Sequence, residues 1–144
     1  MMMAADATSG MDDLRVADLM TIDPITVVLD ATIEEAEDLM RGYHVTGLPV
    51  VDERGRLIGV ISQTDVLFLD VPEVRALIRG RARGVRVGEV MSAPPVTIDA
   101  AATVQDASIR MHTESIHRLV AVDDHGRPVG VISAMDFVTL AAEG

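Results

Sequence analysis

The chain has no cysteine and no tryptophan, and only one tyrosine and two phenylalanines among its 144 residues. The missing thiols exclude disulfides, thiolate nucleophiles and thiolate metal sites. So few rings leave no stacking platform for single-stranded nucleic acid. Positive charge is also scarce. Twelve basic against 23 acidic residues give a net charge of −11, which repels polyphosphate backbones, so nucleic acid is not expected as a partner. Although 49% of the residues are hydrophobic, no apolar run approaches the roughly 18 residues of a membrane span. The opening MMMAADATSGMDD holds no Lys or Arg and no apolar stretch of the secretory kind, so it reads as a loose tail and the cytoplasm as the expected compartment.

Signatures of catalysis are missing too. There is no G-x-S-x-G elbow, no P-loop and no G-x-G-x-x-G. His44, His112, His117 and His125 show no H-x-x-x-H spacing, and the step from His112 to His117 does not align on one helical face. An enzyme is not expected. The nine methionines read as tail and core filler.

What the chain does have is an internal repeat. GVISQTD at 59–65 returns as GVISAMD at 130–136, and a shift of 71 positions holds without a gap from Arg15/Arg86 to Leu67/Val138. Identical pairs include Val16/Val87, Met20/Met91, Pro24/Pro95, Thr32/Thr103, Met40/Met111, Asp52/Asp123 and Gly55/Gly126. A repeat governs every later assignment. Each copy opens with a short apolar turn (RVADLM, RVGEVM) and a β-prone run (ITVV, VTI). A helix follows, its start marked by Thr32 with Glu35 or Thr103 with Asp106. Gly42 is the expected stop of the first helix, with Thr113 at the matching place. Two strands follow, GLPVVD and RLIGVIS or RLVAVDD and RPVGVIS, turning at Gly55 or Gly126. A last helix (QTDVLFL, AMDFVTLAA) completes a β-α-β-β-α unit.

The fold class is therefore α/β (α+β), with two such repeats packed in pseudo-twofold fashion because neither is long enough to bury much core alone. The expected organisation is a tail over 1–14, repeats over 15–70 and 86–144, and a connector over 71–85. The connector pattern, Val71, Val74, Leu77 and Ile78, is helical. Arg75, Arg79, Arg81, Arg83 and Arg86 make the chain locally basic there. They either offset neighbouring carboxylates or contact a phosphate or acidic partner.

The recurring S-x-x-D has two readings. Ser62 and Ser133 end a strand and open a helix, with Asp65 and Asp136 at the third helical position, which is the arrangement of a capping box. The functional reading starts from Gly59 and Gly130, which let a backbone or ligand come close. A helix start offers N–H groups to an anion, and the carboxylate beside it suits the paired hydroxyls of a ribose.

Duplicated G-h-h-S-x-x-D after h-P-V-V-D, preceded by R-V-x-[DE]-h-M and P-x-T-V, resembles a pair of CBS domains, the regulatory repeat named after cystathionine β-synthase. The likeness runs from Arg15 to about Leu140. It implies a Bateman module, whose clefts between repeats bind adenosine-containing ligands and which often forms a flat homodimer. Carried over by residue, Asp65 and Asp136 match ribose-binding aspartates, while Ser62, Thr64 and Ser133 match hydroxyls near ribose or phosphate. Met135 replaces Thr64 in the second copy and removes a polar contact. Val45, Thr46 and Gly47 match the segment whose backbone reads the adenine edge, with Ile116 in the corresponding place. Thr32 and Thr103 match a further polar contact, although helix capping accounts for them as well.

IHRLVAVDD, from Ile116, is similar to a segment of the AMP-activated protein kinase γ subunit in which His and Arg meet phosphate. That implies phosphate contact by His117 and Arg118, through a planar fork of donors and an imidazole. The expected ligands are AMP, ADP or ATP ahead of S-adenosylmethionine or NAD. No cofactor is required, and the output passes to a separate effector protein. The alternatives are a dimerisation module with empty clefts, or a Mg²⁺-responsive module using Asp12-Asp13, Asp123-Asp124 and Glu34-Glu35.

Overall fold

Thr32 and Thr103 open the two long helices. In the computed structural model, which describes residues 13–78 and 84–143, Thr32 Oγ1 accepts the Glu35 N–H at 3.1 Å and Thr103 Oγ1 accepts the Asp106 N–H at 3.0 Å. Each hydroxyl satisfies one of the donors that a helix start leaves without a partner. The helices run Ile33–Tyr43 (α2) and Val104–Glu114 (α6), burying Ile33, Ala36 and Met40 on one and Val104, Ala107 and Met111 on the other. That spacing is one helical face.

Gly42 does not stop the first helix. His44 and Ser115, both at φ 55°, end the two helices in the left-handed region. The N–H of Val45 then reaches back to Met40 O, and that of Ile116 to Met111 O, each at 3.0 Å. This closure sets the end, because it satisfies a late carbonyl while turning the chain into the next strand. Gly42 stands in open space.

The strands form two sheets, each in its own compact unit. Within residues 25–95, the order is β2 (Val27–Val28), β3 (Gly47–Val51), β4 (Leu57–Ser62), with β2 parallel and β4 antiparallel to β3. Within residues 13–24 and 96–143, the order is β1 (Thr21–Ile22), β7 (Pro128–Ser133), β6 (Arg118–Val122), β5 (Thr97–Asp99). Gly55 and Gly126, at φ 80° and 78°, make the hairpin turns as expected. Asp52 and Asp123 brace those turns, accepting the N–H groups of Arg54 and Arg56, or of His125 and Arg127, at 2.8 and 3.0 Å. The closing helices are Gln63–Phe68 (α3) and Ala134–Glu143 (α7), and the connector forms Pro72–Ile78 (α4).

The compact units are not the sequence repeats. The leaders expected as apolar turns are single helical turns, Val16–Leu19 (α1) and Val87–Val90 (α5), and each folds with the strands of the other repeat. Val16 donates to Ala102 O at 2.9 Å, and Val87 to Ala31 O at 2.8 Å. Val16 accordingly joins the core of Leu119, Ala121 and Ile132, while Val87 joins that of Leu48, Val50 and Ile61. β1 was not anticipated from sequence because two residues carry no readable alternation. Among the described residues no helix is long and apolar enough to cross a membrane.

Candidate functional site

The carboxylates of S-x-x-D sit where a strand becomes a helix. Asp65 Oδ2 accepts the Ser62 N–H at 2.8 Å and Ser62 Oγ accepts the Asp65 N–H at 3.2 Å, a complete capping box. The second copy differs. Asp136 Oδ2 accepts the Ser133 N–H at 2.7 Å, but the Ser133 hydroxyl donates to that same oxygen at 3.2 Å. Both carboxylates are half-buried, and each engages Oδ2 and not Oδ1 in these contacts. A carboxylate held by backbone donors presents its second oxygen in a defined position.

Strand pairing gathers the other candidates. Gly47 lies opposite Ser62 and Arg118 opposite Ser133. The Gln63 N–H donates to Thr46 O and the Ala134 N–H to His117 O, each at 2.8 Å. Thr46, Gly47, Ser62, Thr64 and Asp65 are thus neighbours in one unit, as are His117, Arg118, Ser133 and Asp136 in the other. Thr64 is exposed, as is Met135 in its place at 67%.

Val45 and Ile116 line grooves of about 490 and 580 Å³ between the helices of their own units, together with Thr46 or His117. Gln63, Val66 and Leu67 face the first groove, and Ala134 and Phe137 the second. At about 100° per residue, Asp65 and Asp136 leave their helices on the far side from these grooves. Thr32 and Thr103 lie farther off within their units. Each stands at the opposite end of an 11-residue helix, about 16 Å long, from the segment that enters β3 or β6.

Gly59 and Gly130 make room for chain, not ligand. A methyl group on Gly59 would stand 2.6 Å from Met91 Sδ and 2.9 Å from Ser92 O, and one on Gly130 would strike Met20. Sequence reasoning allowed a close backbone here but did not connect these glycines with the methionines repeating at the same offset. That shared offset was the available signal.

Of the connector arginines, Arg75 pairs with Asp70 at 3.4 Å and Arg86 donates to Asp30 O at 3.3 Å. Arg79, Arg81 and Arg83, like Asp12 of the acidic tail pair, lie outside the described residues. No group of three or more metal-binding side chains occurs among the described residues. Asp123 is engaged in its turn. Its carboxyl is held below the ordinary value of 3.8, first by the Arg127 N–H and also by that of His125. Asp52 is lowered likewise, first by the Arg56 N–H and then by the Arg54 N–H and the Arg56 guanidinium.

Comparison with known proteins agrees with this architecture. The family model described as "CBS domain" matches residues 16–71 and 87–143. Inosine-5'-monophosphate dehydrogenase of Mycobacterium leprae is 33% identical over 120 residues, 83% of this chain but 21% of the dehydrogenase. The chain thus spans about a fifth of the curated relatives of this kind that it matches. The crystal structure of CBSX2 in complex with AMP superposes with a TM-score of 0.77 at 30% identity, covering 90% of this chain and 97% of that one. The CBS domain pair of protein MJ0100, solved with 5'-methylthioadenosine and S-adenosyl-L-methionine, gives 0.78 at 26% identity over 90% and 96%. With both halves matched and the fold shared, this chain belongs to the CBS-domain family and carries a tandem pair.

Proposed function

We propose that the chain is a non-catalytic regulatory module that binds an adenosine-containing ligand. The observation that carries the reading is the pair of anchored carboxylates, Asp65 and Asp136, each with an oxygen left over at the start of a helix. Two hydroxyls of a ribose suit such an acceptor. The AMP in the CBSX2 crystal and the adenosine derivatives in that of MJ0100 support the choice of ligand class. Arg118, opposite Ser133, and the exposed His117 supply donors for phosphate, which favours AMP, ADP or ATP. Ligand binding shifts the module between poses by its differential affinity for them. The signal passes to a separate effector protein, from a homodimer in the cytoplasm.

A thermal-shift panel of AMP, ADP, ATP, NAD, S-adenosylmethionine and adenosine, with and without Mg²⁺, tests this. A ligand at a hundredfold its dissociation constant adds about 2.7 kcal/mol, which raises the midpoint visibly. Asp136→Ala weakens the gain for every nucleoside, and Arg118→Ala weakens it only for phosphate-bearing ones. If neither variant changes the response, the residue assignment is wrong.

A second reading is favoured by the reciprocal bonds of Ser62 and Asp65, which satisfy the motif with no ligand. An assembly module using S-x-x-D as caps alone would give a flat panel throughout.

A further inference from the structure

Met20 and Met91 do more than fill space. Each closes a leader turn, its N–H bonded to Val16 O at 2.8 Å or Val87 O at 2.9 Å. Each lays its side chain across a glycine in the middle of a strand: Met20 over Gly130 in β7 and Met91 over Gly59 in β4. Any side chain on either glycine would displace the thioether, so the contact between methionine and strand depends on the glycine. The leader backbone continues the grip. Val60 and Ser92 exchange N–H···O bonds of 3.1 and 2.9 Å, while Thr21 and Ile22 pair with Val131 and Gly130. Three residues beyond each glycine on the same strand come Ser62 and Ser133, whose N–H groups hold the carboxylates of Asp65 and Asp136.

We propose that Met20 and Met91 are positioning residues for the S-x-x-D carboxylates, and that they act crosswise. Met20, from the first repeat, sets Asp136 of the second. Met91, from the second repeat, sets Asp65 of the first. The thioether holds the strand, the strand end places the serine N–H, and that N–H orients the carboxylate. The positional claim stands on contacts within each unit. Only its consequence for ligand affinity rests on the function proposed above.

Residue-resolved hydrogen exchange of the full chain tests the crossing. Met20→Ala accelerates exchange of the Ser133 amide about tenfold and leaves Ser62 unchanged, as expected for local opening. Met91→Ala does the reverse. Met20→Leu restores protection, because leucine refills the same volume, and Gly130→Ala reproduces Met20→Ala by pushing the native methionine aside. Should Met20→Ala fail to fold, Met20→Val and Gly130→Ala supply the same comparison. Equal acceleration at both serines, none at either, or as much acceleration at the Leu119 and Ala121 amides as at Ser133 overturns the proposal, since a merely structural methionine would loosen the whole core of its unit.

AMP titration of the same variants supplies the ligand arm. Crossed exchange with no AMP binding to the wild type keeps the positioning role and removes the ligand reading. AMP binding that requires Asp136 but is indifferent to Met20 and Met91, with uncrossed exchange, keeps the ligand reading and removes the positioning role.

Discussion

The unit of residues 25–95, with three strands, and the unit of 13–24 with 96–143, with a fourth, repeat one plan with different surfaces. Leu48 and Leu119, 1% and 0% exposed, occupy one place in the two cores, and His44 and Ser115 take the same left-handed step at one φ. The differences gather where the strands meet the helices. Thr46-Gly47 stands against His117-Arg118, Thr64 against Met135, and a reciprocal cap against a one-sided one. Positions that two packed segments share have stayed alike. Exposed and half-buried positions at the strand ends have moved apart, and the second unit carries an imidazole and a guanidinium where the first has a hydroxyl and a glycine.

The largest test of this equivalence is in the cores. Leu48→Ala and Leu119→Ala should each cost about 2–5 kcal/mol, as a buried leucine truncation does, with denaturation and residue-resolved exchange locating the loss in the unit concerned. Markedly unequal costs would show that the cores relax differently. The caps come next and should split the pair. Ser62→Ala removes the acceptor for the Asp65 N–H and should cost about 1 kcal/mol, the usual worth of an N-cap. Ser133→Ala, whose hydroxyl donates only to a carboxylate already bonded, should cost clearly less by urea denaturation. Equal costs would mean that the two motifs cap alike in solution.

A smaller effect of opposite sign is expected at Gly42. A methyl group there meets nothing within 4 Å, and the helix continues to Tyr43, so Gly42→Ala should raise stability by about 0.5–1 kcal/mol. A loss would mean that the helix end needs the glycine after all.

Gly42 also shows where reading the sequence fell short. A glycine near the end of a periodic run suggests a C-cap, but what ends the helix is the left-handed step at His44 with the Val45 N–H closing on Met40 O, a conformation that glycine usually marks and histidine does not. Thr32, Thr103 and the two S-x-x-D motifs were legible because a cap is local, made by side chains reaching three residues along. The hairpins were legible for the same reason, through Gly55, Gly126 and the alternation around them. The exchange of leaders was not, because a self-alignment pairs Met20 with Met91 and Gly59 with Gly130 but says nothing of which methionine covers which glycine. The candidate site was half legible. The repeat brought out the carboxylates and hydroxyls that strand pairing gathers, whereas Val45 and Ile116 came with them only by resemblance, and the left-handed step before each leaves it lining a groove.

The finest comparison is between the two hairpin turns. Asp52 and Asp123 both have lowered carboxyl pKa values, caused foremost by the Arg56 and Arg127 N–H groups. A carboxyl whose pKa falls on folding contributes stability that is fully present above its unfolded value, 3.8 here. That contribution disappears as pH falls below 3.8 and through the folded value. Asp52 has one partner that Asp123 lacks in kind, the Arg56 Nε bonded at 3.1 Å to Oδ2. A carboxylate with an added charged donor loses its proton more readily. Carboxyl-resolved NMR titration should therefore place Asp52 below Asp123, and raised salt should narrow the gap because the extra contact is exposed to solvent. If the two titrate together, the charges of His125 and Arg127 beside Asp123 offset the Arg56 contact and the turns are equivalent after all.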